Sequence, residues 1–158
     1  MENITQCEFS ALELAEKACK TLMKKEAPLL PPVGRFHYHQ GVFLLGMHMV
    51  YELTGNEEYF EYIKAWADSL IDADGNVINM NEDELDDIQP GNILYPLYER
   101  TGDTRYAKVL EKFMGILDKW PLNEKGGFWH KGIHPNQMWL DGIYMACPIM
   151  ARYANRFG

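Results

Sequence analysis

YELTGNEEYF at residues 51–60 returns as YERTGDTRYA at 98–107, setting Gly55 and Gly102 47 residues apart. A period of that length points to stacked two-helix units, because one helical hairpin cannot bury its own apolar face and needs a neighbour. In both copies the glycine stands where a helix ends on a left-handed residue, and Asn56 or Asp103 follows in position to cap the next helix. One helix therefore stops and its partner starts within three residues. Upstream of the glycines, VFLLGMHMVYEL (42–53) and NILYPLYER (92–100) are apolar on nearly all sides, as inner helices are. Downstream, YFEYIKAWADSLID and YAKVLEKFMGILDKW mix charges with apolar residues at three- and four-residue spacing, the pattern of half-exposed outer helices.

YMACPIMARYANRFG (144–158) reads as a third inner helix running up to Gly158, with no outer helix after it. An amphipathic stretch from about Ser10 to Lys25 supplies an outer helix at the start. The order outer, inner, outer, inner, outer, inner predicts an all-α fold, an α/α toroid with about three hairpins present. IDADGNVINM (71–80) is the strongest turn signal and reads as a turn or short extended loop rather than a strand pair.

The repeat carries a geometric expectation. Counting back 16 residues from Gly55 and Gly102 and 17 from Gly158 reaches His39, Asp86 and Asp141. On parallel inner helices these three proton-transfer groups lie at equivalent heights near the N-terminal ends, at one mouth of the toroid. The segments before them, PPVGRFHYHQG, NMNEDELDDIQPG and KGGFWHKGIHPNQMW, are rich in aromatic and polar residues. Tyr38, Trp129 and Trp139 offer faces for the C–H surfaces of sugar rings, and the polar groups between them suit hydroxyls. Trp66 and Trp120 fall on outer-helix positions and read as core.

Asp141 sits in QMWLDGIYM among Trp139, Tyr144 and aliphatic residues, where a carboxylate is expected either to be hydrogen-bonded for structure or to titrate towards neutrality. The bland reading is a cap on the third inner helix. For Asp86, the competing reading is an acid-rich helix start that complements the macrodipole. His37 with His39, and His130 with His134, have spacings seen among metal ligands, but the second pair spans Gly132 in a loop, and neither a metal nor another cofactor is expected.

Composition bounds the rest. With 47% hydrophobic and 13% aromatic residues, the 158-residue chain can bury one sizeable core. A formal charge of −8 argues against nucleic acid or an anionic membrane as partner. Cys7, Cys19 and Cys147 are odd in number and lack CxxC spacing, so neither a disulfide framework nor a zinc ribbon is indicated. No signal peptide or membrane-spanning run is visible, and a cytoplasmic location is expected.

Four motifs, YHQGVFLLG, LDDIQPGN, GGFWHK and QMWLDGIYMA, resemble the unsaturated rhamnogalacturonyl hydrolases of glycoside hydrolase family 105, which are related to the unsaturated glucuronyl hydrolases. They occur in family order, and the likeness runs from residue 35 onward. It implies a six-hairpin α/α barrel, with residues 1–158 forming a single domain that corresponds to its N-terminal half. It also implies hydration of the C4=C5 double bond of an unsaturated uronate-containing disaccharide. By that resemblance Asp141 matches the general acid and base and Asp86 the second active-site aspartate. Tyr38, His39, Trp129, His130, Gln137 and Trp139 are expected to line the substrate pocket. The three hairpins leave apolar inner helices uncovered, which predicts a homodimer through the open barrel edge. The alternative function is a catalytically inactive sugar-binding or interaction module of the same fold. An epimerase on this architecture would rely on histidine pairs, against which the two aspartates speak.

Overall fold

The computed structural model describes residues 9–24 and 34–158; Cys7, Lys25 and Pro31 to Val33 lie outside the described residues. Among the described residues six α-helices follow one another: α1 (Ala11–Met23), α2 (Tyr38–Thr54), α3 (Glu57–Leu70), α4 (Leu94–Thr101), α5 (Thr104–Asp118) and α6 (Leu140–Phe157). Two 3₁₀ turns, Leu85–Asp87 and Gln89–Ile93, precede α4. Extended structure among the described residues is limited to three isolated antiparallel bridges.

The repeat is reproduced bond by bond. Gly55 and Gly102 end α2 and α4 with φ of 68° and 69°. Thr54 and Thr101 donate their hydroxyls to Val50 and Leu97 carbonyls, at 2.8 and 2.6 Å, and accept the backbone N–H of Asn56 and Asp103. Asn56 and Asp103 then accept from the N–H groups of Glu58 and Arg105, capping α3 and α5. Ser10 starts α1 with a reciprocal capping box with Glu13.

The outer helices bury matching positions, Tyr59, Ile63, Trp66 and Leu70 on α3 against Tyr106, Leu110, Phe113 and Leu117 on α5. Each such side chain, fully buried, contributes roughly 1.5–3 kcal/mol. Phe36 joins the two rows, stacked 5.2 Å from Trp66 and edge-on 5.8 Å from Phe113. Trp66 and Trp120 are core residues, as the sequence predicts. After each of these outer helices the chain makes a short closed loop, bridged Ile71 to Val77 and Leu122 to Phe128. IDADGNVINM is therefore a turn, tied by Asp72, whose carboxylate accepts from Asp74, Asn76 and the Asn76 side chain.

The second inner segment departs from expectation. Residues 85–93 are laid down as 3₁₀ turns, and regular α-helix begins only at Leu94. Pro90 explains this, because it has no N–H to give to a preceding turn and disfavours the α conformation at Gln89. Asp86 consequently stands in a 3₁₀ turn rather than in the first turn of a helix.

Candidate active site

Two backbone clasps bring distant segments together. The strand-like residues 83–85 run antiparallel to 130–132, with Leu85 N–H donating to His130 O at 3.2 Å and Gly132 N–H to Asp83 O at 2.8 Å. His130 N–H in turn donates to Gln137 O at 2.8 Å, closing the loop that leads into α6. Asp86, His130, Lys131 and Asp141 thereby reach one place from three parts of the chain.

The His130 imidazole is the meeting point. Its Nε2 lies 3.4 Å from Asp86 Oδ1 and 3.9 Å from Asp141 Oδ2. The ring is buried and stacked on Trp139, with centroids 4.3 Å apart and planes 12° apart. Trp139 is steadied by donating its Nε1–H to Gln137 Oε1 at 3.1 Å, and His134 stacks on it at 5.4 Å. Gln137 thus holds the histidine through its backbone and the tryptophan through its side chain.

The two aspartates differ in how they are held. Asp86 is buried and accepts Lys131 Nζ on Oδ2 at 2.7 Å, while its Oδ1 has no hydrogen-bond partner among the described residues. The Asp141 side chain is 53% exposed and, among the described residues, makes no hydrogen bond. Its apolar sequence neighbours do not bury it, because on α6 Leu140, Ile143 and Tyr144 also face outward. Nor does it cap the helix: the N-cap of α6 is Trp139, without a side-chain cap bond.

A second layer of charge lies behind Asp86. Lys131 also meets Glu84 at 3.1 Å, and Arg35 meets both Glu84 at 3.2 Å and Asp87 at 3.0 Å. Burial pulls the Lys131 ammonium down, but Asp86 and Glu84 outweigh it and leave it raised. Asp87 is wholly buried, and desolvation pushes it up to about 6 against the Asn81 N–H and Arg35 that favour its charged form. His37, 3.9 Å from Asp87, is pushed down to about 4 by burial and by Arg35, so its ring is neutral at pH 7.

His39 is exposed and one ring removed from the carboxylates. It stacks on His37 at 4.7 Å and on Tyr38 at 4.1 Å, and His37 is the histidine near Glu84 and Asp86. Trp129 is half-buried and its carbonyl accepts Trp120 Nε1–H, but no ion pair, hydrogen bond or ring contact joins its side chain to the carboxylates among the described residues. Arg35, Glu84, Asp87 and Lys131 are additions that sequence reasoning passed over, and His37 enters it only as half of a possible metal-ligand pair with His39. The adjacency of Lys131 to His130 in GGFWHK was the one available signal.

A protein-family model described as Glycosyl Hydrolase Family 88 matches residues 13–158. The chain belongs to that family. Unsaturated rhamnogalacturonyl hydrolase YesR of Bacillus subtilis (strain 168) is 29% identical over 118 residues, covering 71% of this chain and 33% of that protein. A family 105 glycoside hydrolase of C. acetobutylicum ATCC 824 superposes with a TM-score of 0.83 at 30% identity, covering 95% of this chain and 41% of the other. A possible family 105 member from Klebsiella pneumoniae subsp. pneumoniae MGH 78578 gives a TM-score of 0.70 at 20% identity, over 96% of this chain and 45% of that one, and supports the fold alone. The family 88 chain is thus all-α with α/α-toroid architecture, and the resemblance read from its four motifs holds. It spans about a third of the curated relative and under half of the solved structures. No helix among the described residues is long and apolar enough to cross a membrane.

Proposed function

We propose that this chain supplies the acid–base side of a hydrolase acting on unsaturated uronic-acid disaccharides, the products of rhamnogalacturonan cleavage. The observation that carries the reading is the pairing of two aspartates, 55 residues apart in sequence, across one buried imidazole beside an exposed tryptophan face. In the proposed reaction Asp141, open to solvent, gives a proton to C4 of the C4=C5 double bond. Positive charge then develops at C5 next to the ring oxygen. A water adds at C5 and loses its proton to the regenerated carboxylate; the resulting hemiketal opens at its C5–ring-oxygen bond, and the hemiacetal left at C1 then breaks down and releases the leaving sugar. Asp86, fixed by Lys131, is suited to orient the water or a ring hydroxyl. Trp139, with one face on His130, can pack against the sugar.

The charge of the site indicates that the domain works in a larger assembly. Glu84, Asp86, Asp87 and Asp141 are ion-paired, among the described residues, only with Arg35, Lys131 and the imidazoles of His37 and His130. Four carboxylates against two permanent cations leave nothing spare to hold an anionic uronate. On this reading the cations for the substrate carboxylate come from whatever surface closes the open edge, in the same polypeptide or in a second one. The apolar face of α6, formed by Leu140, Ile143, Tyr144, Cys147, Pro148 and Ala151, is where such a surface would seat, and a second copy of this half-barrel domain is the simplest occupant. The free thiols of Cys19 and Cys147 suit a reducing, cytoplasmic setting. A strictly monomeric species in light scattering at micromolar concentration would remove the homodimer.

The same open edge favours a second reading, a sugar-binding or interaction module without turnover. Loss of the ultraviolet absorbance of the conjugated double bond separates the two. The hydrolase reading expects turnover by the unmodified chain and a drop of about 10²–10⁴-fold in Asp141→Asn, the range for removing a general acid–base group. Absence of turnover with unsaturated disaccharide bound would favour the module.

A further inference from the structure

We propose that Asp86, His130 and Asp141 form a binding site for a divalent transition-metal ion of the zinc and cobalt class. Neither histidine pair that the sequence suggests acts as a pair, since His39 is stacked on His37 and His134 on Trp139. His130 contributes alone, and the other donors come from the 3₁₀ turn at Leu85–Asp87 and from the start of α6. One atom from each, Asp86 Oδ, His130 Nε2 and Asp141 Oδ, lies within 4.8 Å of the other two.

One of the ligand separations has the value of tetrahedral coordination, and a second exceeds it by half an ångström. Metal–ligand bonds of about 2.1 Å at the tetrahedral angle put ligand atoms about 3.4 Å apart. His130 Nε2 to Asp86 Oδ1 is 3.4 Å, and His130 Nε2 to Asp141 Oδ2 is 3.9 Å. Closing the remaining half ångström falls to Asp141, the one exposed ligand, whose side chain makes no hydrogen bond among the described residues. Asp86 and His130 are buried and already in place.

A second observation points to a ligand. Asp86 is only 4% exposed, yet its Oδ1, the oxygen turned to His130, accepts no hydrogen bond among the described residues. Lys131 neutralises the other oxygen and leaves this one unsatisfied. A buried carboxylate oxygen without a donor is costly, and a cation at this point satisfies it. With three protein ligands, two of them anionic, the fourth position stays open to water through the solvent-facing side of Asp141. The neighbouring set of His37, Glu84 and Asp86 is a poorer host, because Arg35 and Lys131 already occupy the same Glu84 oxygen at 3.2 and 3.1 Å.

Metal binding at these residues stands independently of the proposed hydrolase activity. Where that activity holds, the ion competes with it, since it takes the carboxylate oxygens that the proton transfers need. The test is a titration of the untagged, chelator-stripped chain with Co²⁺, read in the visible absorption spectrum. One equivalent is expected to give the intense d–d bands of a tetrahedral ion. Asp141→Asn, its fold checked by far-ultraviolet circular dichroism, should weaken binding by about tenfold or more, at least the effect of removing a supporting group. His130→Gln should do the same, and His134→Ala should leave the affinity unchanged. The proposal is overturned if no tetrahedral bands appear. It is equally overturned if Asp141→Asn binds as tightly as the unmodified chain, or if a sulfur-to-cobalt charge-transfer band shows the ion on a cysteine.

Discussion

Two glycines on α2, five residues apart in YHQGVFLLG, should respond oppositely to the same methyl group. At Gly46 a Cβ meets nothing within 4 Å. At Gly41 it would run into Gln89 Oε1 and come within 2.7 Å of Pro90 Cα, which is backbone and cannot rotate away. Restoring ordinary contact of at least 3.4 Å moves α2 and the Gln89–Ile93 turn apart by roughly 0.7 Å. Overpacking of that kind costs about 1–3 kcal/mol, and the backbone clash puts Gly41→Ala at the upper end. Helix propensity returns about 1 kcal/mol, so the net loss is about 2 kcal/mol. Gly46→Ala has only the propensity gain and should stabilise by up to about 1 kcal/mol. Urea unfolding followed by tryptophan fluorescence measures both. The same displacement reaches Asp86, three residues before Gln89, and misplacement on the ångström scale costs up to about 10²-fold in rate where chemistry depends on position. If Gly41→Ala proves as stable as Gly46→Ala, the tight approach of α2 to the Pro90 turn is refuted.

Lys131→Met should destabilise the fold by about 3 kcal/mol at neutral pH by stranding buried Asp86, and adding Asp86→Asn should restore much of the loss in a double-mutant cycle. Asp68 bridges α3 to α5. Burial raises its pKa, but hydrogen bonds from Lys64, Tyr106 and Arg105 overcome that and hold it below the usual carboxylate range. A depressed folded-state pKa gives stability that is present above the ordinary value near 4 and lost as pH falls through the folded value, so Asp68→Asn should flatten the acid limb of the stability–pH curve below pH 4. Tyr95→Phe should cost about 1 kcal/mol, because its hydroxyl donates to Ile149 O at 2.7 Å and ties α4 to α6.

What the sequence makes legible is local. Thr-Gly-Asn and Thr-Gly-Asp encode a stop and a start within three residues, and each bond they imply is present. The outer helices follow from spacing, because a helix fixes which residues share a face. Asp86 and Asp141 are found by counting from those stops, and the structure does bring them to one imidazole. Counting fails where the chain leaves regular helix. Pro90 converts the expected helix start into 3₁₀ turns, so equal counts no longer mean equal heights, and His39 ends one ring away from the carboxylates. The ion-pair layer was also hidden. Arg35 lies 52 residues from Asp87 and Lys131 47 from Glu84, and no local pattern announces pairs closed by loop-to-loop clasps. Asp141 carries a further lesson, because apolar neighbours in sequence are apolar surroundings in space only if something covers that face of the helix.

The two aspartates therefore bring different degrees of preparation to one site. Asp86 is locked by Lys131, backed by Glu84 and Arg35, and anchored through the clasp between residues 83–85 and 130–132. Asp141 is fixed only by its place on α6, whose Leu140, Ile143 and Tyr144 are exposed on the same stretch. A reaction that needs both within hydrogen-bonding reach of one substrate atom needs the second as firmly placed as the first. The contact that covers Leu140 and Ile143 would also restrict the helix turn that carries Asp141. On the proposed reading, closing the open edge and completing the acid–base pair are one event, and introducing a charge with Ile143→Glu should lower turnover and association together while leaving the Asp86 side intact.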